Sequence, residues 1–178
     1  MLDRQYLLAI DPGTTASGVC IIRKCDMKPL EVAKIPNETV FNWFVRKMSD
    51  LELHYMDFDF CIERMQGNGM PVSSEVFITC EWIGIFTHHF ASSMGLRSKV
   101  SFNPYIYRRD EYRTLCGNLY SHNDKGVKAS LVDRFAYGKP NHGKGNKKDK
   151  GWFYGFYADT WSAYAVAVTF VDKENNRA

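Results

Sequence analysis

The segment LLAIDPGTTASGVCII, residues 7–22, places its single acid where a hydrophobic run meets a turn. Leu7, Leu8, Ala9 and Ile10 read as a strand, Pro12-Gly13 as a turn and Val19 to Ile22 as a second strand, which together make a β-hairpin. A carboxylate at such a boundary loses hydration, so Asp11 requires a cation, a donor or a ligand.

The rest of the chain extends that hairpin into an α/β pattern. Three strands are expected at about 5–11, 17–24 and 30–35. The spacing of apolar residues over 39–53 predicts a helix, and FDFCIER (58–64) a fourth, mostly apolar strand with Glu63 at its far end. A long apolar helix follows over 73–94, opened by Ser-Ser-Glu. SKVSF (98–102) reads as a fifth strand, 125–137 as a helix and 156–173 as a final helix rich in small residues. Residues 104–123 mix aromatics, arginines, Gly and Asn without a clear period. The pattern predicts one mixed sheet with helices around it.

A chain of 178 residues holds one sizeable core, so residues 1–178 are expected to form a single domain. The five cysteines are odd in number, scattered and without a CxxC pair, which argues against a disulfide framework or a zinc site and fits a reducing, cytoplasmic compartment. The N-terminus has no cleavable signal pattern, and no apolar stretch approaches the ~20 residues that span a membrane. Charge is uneven. Residues 1–96 carry 8 Lys/Arg against 12 Asp/Glu, whereas residues 97–150 carry 13 against 5. A basic region between acidic flanks suits a polyanion lying across part of the surface, as well as a plain solvated lysine face. Within it, residues 138–151 have five lysines, four glycines and no large apolar residue, which predicts a flexible loop.

Asp11 and Glu63 occupy equivalent places, each at the C-terminal end of an apolar strand. If those strands are parallel neighbours, both carboxylates emerge at one edge and repel unless a proton or a metal intervenes. Oxygen donors without His or Cys suit Mg²⁺ or Mn²⁺. The plain alternative is two unrelated acids paired with surface cations. Asp159, near the start of the last helix, lies on a face of small residues that lets the helix approach the sheet, or is simply an acid favoured by the helix macrodipole.

AIDPGTTASG, the strand-end CIER and the late ADTWSAYAVAV together resemble the RuvC-type Holliday-junction resolvases, especially the small phage-encoded members of that RNase H-like group. The resemblance spans residues 6 to about 172. It implies an RNase H-like fold, a five-stranded mixed sheet flanked by helices, and a Mg²⁺-dependent crossover junction endonuclease. Asp11, Glu63 and Asp159 would be its metal ligands, Mn²⁺ a possible substitute ion, and two-metal hydrolysis its chemistry. Paired nicks in four-way junctions, forks or flaps imply a two-fold homodimer, with helix 73–94 as a first candidate for the interface, and a host cytoplasm for a phage-encoded member. The chain departs from that pattern in one respect. RuvC-type enzymes carry two metal-binding residues three apart on the final helix, and here only Asp159 is available, with Ser162 at the second place. Water, Ser162, Asp124 or Asp133 are the alternatives for completing the site.

Arg108, Arg109 and Arg113 alternate with Tyr105, Tyr107 and Tyr112, a pattern that suits phosphates and unpaired bases but also inward-packed rings. Lys139, Lys144, Lys147, Lys148 and Lys150 suit the DNA backbone. Glu81, alone in an apolar helix, reads as a surface acid or a partner to a basic side chain at the groove. His88 and His89 face different directions, which disfavours a shared metal. The loop MQGNGMP (65–71) follows Glu63 and suits either a wedge into a junction or a connector. Two rival functions remain. One is a non-catalytic module that binds branched nucleic acid. The other is a nucleotide-binding protein like actin or the sugar kinases, disfavoured because 178 residues leave no room for a second related domain.

Overall fold

The computed structural model describes residues 4–67, 69, 72–96 and 102–176. Five strands form one sheet: β1 (Tyr6–Asp11), β2 (Ala16–Arg23), β3 (Lys28–Pro36), β4 (Phe58–Glu63) and β5 (Tyr105–Ile106), in the order β3-β2-β1-β4-β5. β1 runs antiparallel to β2 and parallel to β4, and β4 runs parallel to β5. The helices are α1 (Val40–Asp50), α2 (Ser74–Ser93), α3 (Arg108–Glu111), α4 (Asp124–Ala136) and α5 (Thr160–Asn175). The expected five-stranded mixed α/β sheet is therefore present. The fifth strand differs. Residues 98–101 of the expected strand lie outside the described residues, Phe102 is not in a strand, and the pairing with β4 falls at Tyr105–Ile106.

Alternation along the central strands divides the core in two. Leu7, Ala9, Cys20, Ile22 and Cys61 face α4 and α5 together with Phe153 and Phe156. Leu8, Ile10, Val19, Ile21, Phe60 and Ile62 face α1 and α2, where Phe44, Phe58 and Phe90 pack edge to face or tilted. Both faces of β1 are thus dry, as expected of a strand with parallel and antiparallel neighbours in mid-sheet. Ala163, Ala165 and Ala167 are fully buried, and these small side chains let α5 lie close on the sheet.

Residues 138–151, the expected loop, lie outside the helices and named strands apart from short local structure. A 3-10 turn spans Pro140–Gly143 and a bridge joins Gly145 to Lys150. A Cβ at Gly143 would stand 2.3 Å from Ala136 Cβ, so this glycine fits a tight crossing rather than loosening the chain. All five cysteines are free thiols. Among the described residues no helix is long and apolar enough to cross a membrane.

Candidate active site

Strand parity builds the centre of the site. Leu7, Ala9 and Asp11 point to the α5 face of the sheet, and so do Asp59, Cys61 and Glu63 on the parallel neighbour. Asp11 and Glu63 therefore end adjacent strands on the same side. Burial, and then the charge of Glu63, hold the Asp11 carboxyl well above the ordinary carboxylate range.

The turn after Asp11 is clamped from within. Asn37 is fully buried; its Nδ2 donates to the Gly13 and Thr14 carbonyls at 3.0 and 3.3 Å, and its Oδ1 accepts from Ser17 Oγ at 2.6 Å. Its backbone N–H also donates to the Thr15 carbonyl. A Cβ at Gly13 would stand 2.3 Å from the Ala16 carbonyl oxygen, so the crossing admits only glycine. The hydrogen bonds of Asn37 take up carbonyls that a turn otherwise leaves to water, and they hold the strand end that carries Asp11.

Asp159 caps the start of α5 directly over the sheet. Gly18 lies opposite Asp11 on β2 and opposite Lys34 on β3. A Cβ at Gly18 would stand 2.4 Å from the Asp159 carbonyl oxygen and 3.2 Å from its Cβ, so the helix start rests on this glycine. The Asp159 carboxylate pairs with Lys34, at 2.7 Å from Nζ. The residue before it, Ala158, has φ 38°, a left-handed conformation that turns the chain sharply into the helix. Ser162, one turn on, lines a cleft of ≈ 640 Å³ with Asp159, Arg108, Asp124 and Lys125.

The periodless stretch 104–123 supplies residues that sequence reasoning missed or used differently. Arg108, expected at the DNA surface, is in the acid cluster: 3.1 Å from Glu111, 3.7 Å from Glu63 and 3.1 Å from Asp124. Burial opposes its charge, but Glu63, Glu111, Asp11 and Asp124 outweigh burial and hold the guanidinium above its ordinary value. Glu111 was not anticipated. It is completely buried, and burial, followed by the charge of Glu63, pushes its carboxyl up to about 8. The one sequence signal for it is its place three residues after Arg108, the spacing of a helical ion pair. Asp124 joins this cluster, whereas Asp133 accepts a 2.5 Å hydrogen bond from Tyr120 and lines a neighbouring cleft.

The other basic candidates are spread out. Arg109 lies over the Tyr107 ring at 5.3 Å, and Arg113 reaches Asp110, which Lys173 also holds. Lys144 lines the acid cleft, Lys150 stands over the Tyr154 ring at 5.0 Å, and Lys139, Lys147 and Lys148 are exposed. Glu81 and His88 are on the outer side of α2, and His89 packs on Phe41 at 3.9 Å. Of the loop 65–71, residues 68, 70 and 71, including Met70, lie outside the described residues.

Among the described residues no three His, Cys, Asp or Glu side chains stand together as a group that could hold a metal ion. The chemistry of the donors nonetheless fits a hard divalent cation. Every donor is an oxygen, three carboxylates meet one guanidinium, and two buried acceptors, Glu63 Oε2 and Glu111 Oε1, have no hydrogen-bond partner.

Comparison with solved structures identifies the fold. A Thermus thermophilus RuvC in complex with a Holliday junction substrate superposes with TM-score 0.64 at 11% identity, covering 97% of this chain and 96% of that one. The fold is RuvC-like. A second Thermus thermophilus RuvC structure superposes with TM-score 0.55, again at 11% identity, over 96% of each chain. No family model and no curated sequence matches the chain. At this identity the likeness establishes the mixed sheet with its flanking helices, and the chemistry has to be argued from the side chains.

Proposed function

We propose that this protein is a divalent-cation-dependent endonuclease that resolves branched DNA. The observation that carries the reading is the pair Asp11 and Glu63, half-buried and buried at the ends of adjacent parallel strands on one face of a RuvC-like fold. One structural neighbour is RuvC in complex with a Holliday junction substrate, which favours four-way junctions among the branched substrates.

Asp11 and Glu63 would hold Mg²⁺, or Mn²⁺ in its place, with Asp159 joining them once it leaves Lys34, and Ser162 one turn further along the cleft. Such an ion supplies an activated water and neutralises charge on the leaving oxygen. The chain's own part is to bind and orient. Lys125, Lys128 and Lys144 line the cleft beside Asp159 and would grip phosphates there, positioning one against the carboxylates. Lys139, Lys147 and Lys148 would extend that grip along the backbone, so affinity falls steeply as salt rises. Arg109 and Arg113 add charge at the far rim of the cluster. The fully buried walls of β1 and β4 exclude water from behind the acids.

Resolution requires two symmetric nicks and therefore two copies of the site. The outer side of α2 exposes Phe77, Ile78 and Ile85 by 61%, 40% and 45%, an apolar face suited to a second copy of the chain.

The test uses wild type and Asp11→Asn with a labelled four-way junction, a flap, a linear duplex and an RNA–DNA hybrid, each with Mg²⁺ or EDTA. Cutting of the junction that is lost with EDTA and in the variant is the expected result. Binding without cutting under both Mg²⁺ and Mn²⁺ overturns the reading in favour of a non-catalytic binding module.

A further inference from the structure

The RuvC-type pattern asks for two metal-binding residues one turn apart at the start of the last helix, and α5 offers only Asp159 and then Ser162. A further carboxylate reaches the cluster from a different element. Glu111, at the end of α3, is completely buried, and its Oε2 lies 3.1 Å from Nη1 of Arg108. The same nitrogen stands 3.7 Å from Glu63 Oε2, while Nη2 stands 3.1 Å from Asp124 Oδ1. One guanidinium thus faces carboxylates from β4, α3 and α4, with Asp11 at the end of the neighbouring strand β1.

That arrangement is oversupplied with acid for a structural ion pair. A half-buried arginine such as Arg108 is ordinarily balanced by one or two carboxylates with their lone pairs satisfied. Here Glu63 Oε2 and Glu111 Oε1 are buried and accept no hydrogen bond. Both belong to the acids that share Nη1, so the unsatisfied acceptors flank the cationic group itself. A cation of higher charge, drawing in more oxygens than a planar fork of N–H groups does, would satisfy them together.

We infer that Glu111 supplies the carboxylate that α5 lacks, making it part of the divalent-cation site, and that the Arg108 guanidinium competes with the cation for the same acids. The purpose of such a site rests on the endonuclease reading, but its detection does not. Because Arg108 stands between Glu63 and Glu111, those two acids close on an ion only as the guanidinium moves out toward Asp124 and the cleft, where it meets a phosphate instead.

The competition gives two variants opposite signs. Mn²⁺ is titrated by calorimetry into the full-length, DNA-free protein, wild type, Glu111→Gln and Arg108→Met, with circular dichroism and thermal melting of each with and without Mn²⁺. Glu111→Gln should weaken Mn²⁺ binding at least tenfold and shrink the Mn²⁺-dependent rise in melting temperature. Arg108→Met, which keeps an apolar stem, should bind Mn²⁺ at least threefold more tightly. A merely structural Glu111–Arg108 pair would lower melting temperature in both variants and leave Mn²⁺ affinity alike, which overturns the inference, as does a wild type that binds no Mn²⁺ at millimolar concentration. Should Glu111→Gln fail to fold, Arg108→Met decides alone: tighter binding supports the inference, and equal or weaker binding overturns it. Mn²⁺ binding that depends on Glu111 in a protein that cuts no junction would sink the endonuclease reading and leave this one standing.

Discussion

Strand β4 carries two acids on the same face, Asp59 at its start and Glu63 at its end, and they are equally buried, at 8% and 9% exposure. Their surroundings are opposite. Asp59 lies 2.7 Å from Lys24 and 3.8 Å from Arg4, and Lys24 also reaches Glu174 at 2.8 Å. Arg4 further donates to the Phe58 and Met94 carbonyls, tying the start of β4 to the end of α2. At the other end Glu63 shares one arginine with Glu111, Asp124 and Asp11. Burial alone therefore does not separate the two acids; the balance of cations does. Asp59 has cations of its own, whereas at Glu63 acids outnumber cations.

That contrast can be broken by mutation, and the largest effect belongs to the structural end. Asp59→Asn should leave Lys24 and Arg4 short of a partner and cost about 3–5 kcal/mol of stability in a denaturant melt. Glu63→Gln should stay within about 1 kcal/mol of wild type, because removing a charge from an overcrowded cluster relieves repulsion, while abolishing junction cleavage. Equal losses of stability in the two variants would erase the distinction between the ends.

The turn that carries Asp11 comes next. Asn37→Ala removes the donors to Gly13 and Thr14 and leaves the buried Ser17 hydroxyl without its acceptor, for a loss of about 2–3 kcal/mol measured by thermal or urea unfolding. Cleavage per folded molecule should fall as well, since the strand end loses its clamp.

Gly18→Ala sets a methyl group against the start of α5, with an expected cost of about 1–3 kcal/mol. It should lower cleavage through Asp159 while leaving the Asp59 end untouched, which hydrogen exchange in β4 and α2 can check. The smallest effect is expected at Ala158. Its left-handed backbone costs roughly 1–2 kcal/mol, so Ala158→Gly should raise stability by up to about 1 kcal/mol, seen as a melting temperature a few degrees higher.

Much of the scaffold was legible before the fold. Period-two alternation in residues 6–11 and 58–63 puts Asp11 and Glu63 on one face once the strands are parallel neighbours, and the helical spacing of 39–53 supplies the crossover that makes them so. The glycines of the first motif were legible as a turn, although the contact of Gly18 with α5 was not, because it joins residues 141 positions apart. Glu111 escaped notice because 104–123 has no period to read: its helix is a single turn, continued by a π turn over Tyr112–Cys116. The aromatic and basic neighbours of Arg108 suit a DNA surface, but they carry no sign of its contacts with Glu63, Glu111 and Asp124, because side-chain direction in so short an element follows from packing.

The amino-acid sequence by itself determined which residues face the same side of a strand, since that depends only on the alternation of neighbouring side chains. Tertiary structure decided which charge each acid meets: Lys24 and Arg4 for Asp59, Lys34 for Asp159, and Arg108 for Glu63, Glu111 and Asp124. The reason is range. Pleat and helical period act over a few residues, whereas the energy of a buried charge depends on groups brought within a few ångströms from anywhere in the chain.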